Sequence, residues 1–192
     1  MKYLPISPEL FAKNRVKLSQ QMAPNSVAIF NSNDIFSTGA DSTVPFEQHR
    51  NIFYLSGVDQ EESILLVFPD AKKDAYREIL FIKETNDHIA IWEGAKLSKS
   101  QATASSGIKT VYWLEEFESV FSKLMNDSTR FYYNNNEHYR QAVEMETRED
   151  RFLKMVKLSY PTHELLPNFP IMEALRGVKE SEEISLIKTA CN

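Results

Sequence analysis

The sequence predicts an α/β domain in which a mixed β-sheet is flanked by helices. Short apolar segments of strand length alternate along the chain with longer segments of helical character. Two neighbouring strand segments, 63–68 and 78–82, are joined only by the short polar stretch 69–77, which favours an antiparallel hairpin. A sheet that combines such a hairpin with helix-linked strands is mixed in direction.

The predicted strands are runs of β-branched, aliphatic and aromatic residues bounded by turn-forming residues. SVAIF is typical of a buried strand, and NIFYLS predicts a second strand that Gly57 closes. The runs SILLVF and EILFI form the hairpin. The complete set of predicted strands is 26–30, 51–56, 63–68, 78–82, 110–112 and 130–133.

The predicted helices have recognisable starts or apolar stripes. Ser7, Pro8 and Glu9 open a helix that should reach Met22, because they supply a cap, a first-turn proline and a first-turn acid. In 114–125 the apolar residues recur three or four apart, which indicates an amphipathic helix. Further helical segments are predicted at 86–92, 98–105, 137–157 and from Ser181 onward, whereas three prolines make 160–170 mostly irregular.

Composition excludes several classes of protein. The chain has 192 residues, 22 Lys and Arg against 27 Asp and Glu, and a formal net charge of −5, which disfavours a nucleic-acid binder. Its one cysteine excludes an internal disulfide framework and fits a reducing compartment. Neither a signal peptide nor an apolar run of membrane-spanning length is present, so we expect a cytoplasmic protein.

No catalytic template is found in the sequence. It lacks HExxH, CxxC, GxGxxG, GxSxG and a Walker loop. The four histidines are scattered in polar settings, where surface or capping roles are commoner than metal ligation, and Cys191 is expected to pack as a small apolar residue. The histidines are His49, His88, His138 and His163. We therefore predict no catalytic and no metal-binding residue within this chain.

Trp92 is the aromatic residue that we single out. It lies in the sequence Ile91-Trp92-Glu93-Gly94, between a predicted helix and a loop. One interpretation is a boundary tryptophan that packs on its own domain. The other is an interface or pocket-lining residue, a role in which tryptophan is common because it buries a large area with few rotatable bonds.

Four segments in order carry a resemblance to a known family. FEQHRNIFYLSGVDQEE at 46–62 resembles the signature of the amino-terminal domain shared by aminopeptidase P, prolidase and creatinase. The hairpin SILLVF and EILFI, the stretch IWEG followed by Leu97, and LRGVKESEEI at 175–184 follow in the family's order. Glu47 stands where the family often has Arg, and Arg50 where a small polar residue is common.

The resemblance implies a ribonuclease-H-like fold for residues 1–176. It also implies that 177–192 are the linker and first helix of a pita-bread catalytic domain, which we expect to follow this chain. In the family that domain holds two divalent metals, commonly manganese, and cleaves peptides before a penultimate proline. The amino-terminal domain helps to build homodimers or tetramers and closes over the active site. Trp92 matches a family tryptophan that reaches a neighbouring subunit's substrate pocket.

Two other functions remain open at this stage. A catalytically inactive relative of the same fold would be a protein-binding module, as in some histone chaperones. Alternatively, the chain would belong to a related enzyme of the prolidase or creatinase type, which acts on a different substrate. A short native chain whose final helix packs back on the domain is also possible on sequence grounds.

Overall fold

The computed structural model describes residues 6–40, 42–86, 88, 91, 94–135 and 145–191. The strands are β1 (Ser26–Asn31), β2 (Ile64–Val67), β3 (Glu78–Ile82), β4 (Thr110–Trp113), β5 (Arg130–Tyr133) and β6 (Glu164–Pro167). The α-helices are α1 (Pro8–Gln21), α2 (Arg50–Ser56), α3 (Lys99–Ser106), α4 (Phe117–Asp127), α5 (Arg148–Ser159), α6 (Phe169–Gly177) and α7 (Ser181–Cys191). Short 3₁₀ turns span Asp74–Tyr76 and Leu114–Glu116.

The strands within these ranges form one sheet in the order β4-β3-β2-β1-β5-β6. β2 is antiparallel to both β1 and β3, whereas β4 is parallel to β3 and β5 is parallel to β1 and β6. The predicted mixed sheet and its hairpin are therefore confirmed. Only part of the predicted helix at 86–92 and of the helical region 137–157 lies within the described residues.

The sheet buries both of its faces, so each face needs a layer of helices. All six residues of β1 are buried, as expected for a central strand that alternates between two apolar cores. On one face Phe30 and Leu65 pack in a core with residues of α1, α2, α3 and α6. On the other face Ile29 and Phe131 pack in a core with residues of α4 and α5.

Arg15 ties α1 to the elements beneath it. Its side chain is 1% exposed, and burial lowers the pKa of its guanidinium. Nε donates to Glu78 Oε2 at 2.9 Å, and Nη1 donates to the carbonyl oxygens of Leu55 at 2.8 Å and Ser106 at 2.9 Å. A buried charge is tolerated only with such partners, so this contact fixes α1 against α2, α3 and β3.

The segment 51–56 forms helix α2, so the predicted second strand is wrong. His49 Nδ1 accepts a hydrogen bond from the Asn51 amide at the start of the helix. At the other end Gly57 takes a left-handed conformation, and its amide donates to the Phe53 carbonyl. The buried residues Asn51, Ile52, Leu55 and Ser56 recur with helical spacing. The strand prediction relied on residue type, and tertiary packing overrode that propensity.

The segment 160–170 is more regular than its prolines suggest. It contains β6 and the first turn of α6, so the predicted irregular stretch is wrong in part. Pro167 is the last residue of an edge strand, and Pro170 lies in the first turn of a helix. Both are positions where a missing amide hydrogen is tolerated.

The helix predicted from Ser181 is confirmed as α7, and none of its residues is buried. Two ion pairs connect this helix and the residue before it to α1: Lys13 Nζ lies 3.2 Å from Glu182 Oε2, and Lys17 pairs with Glu180. The position of the domain boundary near residue 176 stays a prediction. Within the described ranges, no helix is both long enough and apolar enough to cross a membrane.

Gly57→Ala should destabilise the fold strongly. Gly57 has a φ of 68°, and a β-carbon there would lie 2.2 Å from Cε2 of the buried Phe11 ring. The backbone strain and the clash together should lower the free energy of unfolding by roughly 3 kcal/mol, measured by urea denaturation.

Gly107→Ala is the matched control. Gly107 also has a positive φ, but its added β-carbon would be 3.5 Å from the nearest atom. The Gly107→Ala substitution should lower the free energy of unfolding by only about 1 kcal/mol. Equal losses for the two variants would contradict the steric role of Phe11.

Candidate functional site

The carboxyl ends of β1 and β5 form the most polar part of the sheet edge. These parallel neighbours are followed by elements on opposite faces, because α2 packs in one core and α5 in the other. Open α/β sheets tend to bind ligands at such a divergence. A groove of about 1210 Å³ lies here, lined by residues from 32–36, 44–51, 134–135, 145–150 and 169–177. We call it the edge groove.

A buried carboxylate organises the edge groove. Glu149, on the first turn of α5, is 7% exposed. Its Oε1 accepts hydrogen bonds from the Asn31 amide at 2.8 Å and from Asn134 Nδ2 at 2.9 Å, and its Oε2 accepts one from Asn31 Nδ2 at 2.9 Å. Burial raises the pKa of Glu149, although these hydrogen bonds and the charge of Arg148 act in the opposite direction.

The network continues through two amide side chains to a cation. Asn51 Nδ2 donates to Asn134 Oδ1 at 2.7 Å, and Arg176 Nη1 donates to Asn51 Oδ1 at 3.0 Å. The sequence thus places one polar residue at the end of each parallel strand and one on each of α2, α5 and α6. Their contacts hold the walls of the edge groove in one arrangement.

Gln48 and His49 fix the loop that enters α2. Gln48 Nε2 donates to the carbonyl oxygens of Val58 at 3.1 Å and Gln60 at 2.9 Å, and to Ser63 Oγ at 3.1 Å. Burial lowers the pKa of His49 to about 4, and the charges of Arg176 and Arg50 add to this effect. The neutral imidazole is therefore the form that caps α2.

A second groove, of about 620 Å³, lies between α1, α2 and α7. Its apolar side chains come from these three helices and from Ile6 just before α1, and its polar margin includes Arg50, Arg176 and Lys179. We call it the helix groove. The two grooves adjoin along the loop before α2 and the end of α6, because both are lined by Glu47, Gln48, Arg50 and Arg176.

Among the described residues, no three His, Cys, Asp or Glu side chains come close enough together to hold a metal ion. The oxygens of Glu149 already accept three hydrogen bonds, and Cys191 is exposed at the end of α7. The chain's described part therefore does not fit the two metals that the family resemblance implies for the enzyme.

Trp92, the predicted site residue, lies outside the described residues, so its role stays a prediction. The polar network of the edge groove was not anticipated from the sequence. One signal was available: an asparagine follows directly on each of two predicted strands, at Asn31 and Asn134. Asn51 and Arg176 lie inside segments that carry the resemblance, but nothing in those segments indicated that they share a hydrogen bond.

Comparison with known proteins places the chain in a family. A family model described as aminopeptidase P, N-terminal domain, matches residues 11–133. The chain belongs to this family. The match confirms the resemblance drawn from the four sequence segments.

The relatives are peptidases of greater length. Xaa-Pro aminopeptidase of Haemophilus influenzae is 25% identical over 182 residues, which are 95% of this chain and 40% of that protein. The Escherichia coli Xaa-Pro aminopeptidase is 22% identical over 187 residues, covering 96% of this chain and 42% of that one. A structure from Bacillus anthracis, described as a candidate aminopeptidase P, superposes with a TM-score of 0.85 at 26% identity. The superposition covers 96% of this chain and 43% of that chain. The chain therefore spans about two fifths of the length of these relatives.

The histidine cap should make stability depend on pH. The unfolded chain binds a proton at His49 near pH 6.5, whereas the folded chain does so only near pH 4. Lowering the pH through this interval therefore favours the unfolded state. Protonation of His49 should lower the free energy of unfolding by up to roughly 3 kcal/mol between these limits. Well below pH 4 this histidine should cause no further loss.

His49→Asn tests this effect, because asparagine can cap a helix and does not titrate. Urea denaturation at several pH values should show a weaker loss of stability between pH 6.5 and 4 for the variant. His88→Asn, at an exposed position, is the control and should behave like the parent chain. An identical pH profile for His49→Asn and the parent would refute the proposed role of His49.

Proposed function

We propose that this chain is the non-catalytic amino-terminal domain of a Xaa-Pro aminopeptidase. The observation that carries the proposal is the family match, together with Xaa-Pro aminopeptidase relatives that align with 95% and 96% of the chain. The complete enzyme would remove the residue that precedes a penultimate proline. The remaining three fifths of the relatives' length correspond to the domain that we assign to catalysis.

The chemistry of the complete enzyme would depend on two divalent metals, manganese by family resemblance, held by that other domain. Bound metals of this kind supply an activated water and polarise the carbonyl group that is attacked. The described residues of this chain gather no metal-binding group, so we assign none of the ligands to them. The contribution of this chain is shape, assembly and closure over the substrate pocket.

The edge groove supports a role in assembly. It presents exposed apolar side chains, among them Phe36, Val44 and Met145. Apolar side chains that are exposed next to a rigid polar network suit contact with another domain or subunit. We propose that the domain contacts its own catalytic domain and neighbouring subunits in a cytoplasmic homodimer or tetramer.

The 192-residue chain alone should not hydrolyse a Xaa-Pro peptide in the presence of manganese, because it is proposed to lack the metal ligands. The same chain extended to the length of its relatives should release the amino-terminal residue. Product would be quantified by chromatography against a blank without protein. Turnover by the 192-residue chain would overturn the proposed division of labour, and an inactive extended protein would favour a protein-binding module.

Trp92→Ala in the extended enzyme should lower kcat/KM for a short Xaa-Pro peptide by about tenfold, if the indole contacts the substrate in a neighbouring subunit's pocket. Trp92→Phe, which keeps an aromatic ring, should retain more of the activity. Circular dichroism and the oligomeric state of both variants should match the parent. Unchanged kinetics in Trp92→Ala would contradict the pocket role.

A further inference from the structure

Two arginines meet where the edge groove and the helix groove adjoin. Arg50 is the first residue of α2 and is exposed, and Arg176 lies in the last turn of α6. Both side chains line both grooves. Burial lowers the pKa of Arg176, and the positive charge of Arg50 acts in the same direction. The charges of both arginines add to the effect of burial in lowering the pKa of His49. The three groups therefore lie within range of one another's charge.

Neither guanidinium has a carboxylate partner in the described part of the chain. No oxygen of an Asp or Glu there lies within ion-pair distance of Arg50 or Arg176. Arg176 donates one hydrogen bond, to Asn51 Oδ1, and a guanidinium has five N–H donors. Two cations held close together without an ion-paired carboxylate attract an anion, because its binding relieves their mutual repulsion.

Hydrogen bonds within the protein hold Arg176 in position before any ligand binds. Its partner Asn51 is fixed by Asn134, which in turn donates to the buried Glu149. Tyr54 Oη also donates to the Leu175 carbonyl, which connects α2 to α6 one residue before Arg176. A cation that is already positioned loses little conformational entropy when it binds an anion.

The helix groove beside the arginines is apolar. Its lining includes Leu10 and Phe11 of α1, Phe53 of α2, and Leu186 and Ile187 of α7. A volume of about 620 Å³ lies within the range of small-molecule sites, which combine an apolar lining with a few polar groups. An occupant that suits both parts has a charged head and an apolar body.

Three carboxylates share the same lining and could compete for the arginines. Glu183 is near enough for its charge to raise the pKa of Arg176, but it lies beyond ion-pair distance. Its Oε2 accepts a hydrogen bond from the Glu180 amide at 2.8 Å, so its role is to cap α7. Asp59 is also engaged in an interaction, so it is not a free carboxylate. Glu47 is exposed, and no ion pair connects it to either arginine within the described ranges. Glu47 is therefore the carboxylate whose removal should strengthen the binding of an anion.

We propose that Arg50 and Arg176 bind the carboxylate of a small molecule whose apolar body occupies the helix groove. A planar carboxylate matches the paired N–H donors of a guanidinium, and such charge-assisted hydrogen bonds are among the stronger polar contacts. This site goes beyond the proposed peptidase function and does not depend on it, because all of its residues belong to this chain.

The test is an NMR titration of the 192-residue chain with three probes. N-acetyl-phenylalanine carries both the carboxylate and an apolar body, N-acetyl-phenylalaninamide lacks the charge, and acetate lacks the body. N-acetyl-phenylalanine should shift resonances of α2 and α7 saturably, with a Kd on the order of 1 mM. The other two probes should bind at least roughly tenfold more weakly. Equal binding of the acid and the amide, or no saturable shift, would overturn the proposal.

Variants separate the charged head from the apolar groove. Arg50→Gln and Leu186→Ala should each weaken binding of N-acetyl-phenylalanine by about tenfold, and Glu47→Gln should tighten it several-fold. Arg77→Gln removes an exposed arginine that pairs with Asp74 far from the groove, and it should bind like the parent. The thermal midpoint of each variant confirms folding. Unchanged affinity in Arg50→Gln would refute the assignment of the carboxylate to this arginine pair.

Discussion

The buried carboxylate of Glu149 is the interaction on which the rest of the structure depends. A carboxylate removed from water must be hydrogen-bonded, and Glu149 satisfies this need with three donors from the ends of β1 and β5. Because the donors belong to two strands and the acceptor to α5, their geometry fixes where α5 begins relative to the sheet. The same requirement extends through Asn134 and Asn51 to α2 and to Arg176 on α6. The edge groove takes its shape from these elements.

The apolar interior explains why this polar edge stays in one arrangement. The two cores lie on opposite faces of the sheet, and β1 contributes to both of them. On the α4 and α5 face, aromatic rings contact one another across elements: Phe121 stands edge-on to Phe131 and tilted against Phe152. Such rings bury large areas and pack with restricted geometry. The elements that carry the network therefore have little freedom to shift.

The sequence predicted the parts of the fold that depend on local patterns. Continuous apolar runs such as SVAIF and EILFI gave correct strands, because a strand buried on both faces needs no alternation. The same criterion failed for α2, where burial of Asn51 and Leu55 at helical spacing decided the structure. β6 was not anticipated, because its pairing with β5 is set by distant residues and its own sequence contains Pro167.

The candidate site was beyond prediction for a related reason. Its polar network joins Asn31, Asn51, Asn134, Glu149 and Arg176, which are spread over most of the chain and share no motif. Asparagine and arginine are common on surfaces, so their types gave no sign of burial or of mutual contact. Only the sheet order, which places β5 beside β1, brings them together. The family, by contrast, could be identified from short segments, because it depends on their order along the chain.

The central position of β1 also constrains how the protein is made. β1 pairs with β2 after a connection that contains α2, but its other neighbour, β5, lies roughly a hundred residues further along the chain. During synthesis the strands β1, β2 and β3 leave the ribosome first, and one edge of β1, whose residues are all buried in the folded domain, then has no partner strand. An open edge of this kind is where nascent chains associate wrongly. The exposure ends when residues 130–133 have left the ribosome and paired with β1, so the interval before that pairing is when the nascent domain is most exposed to aggregation.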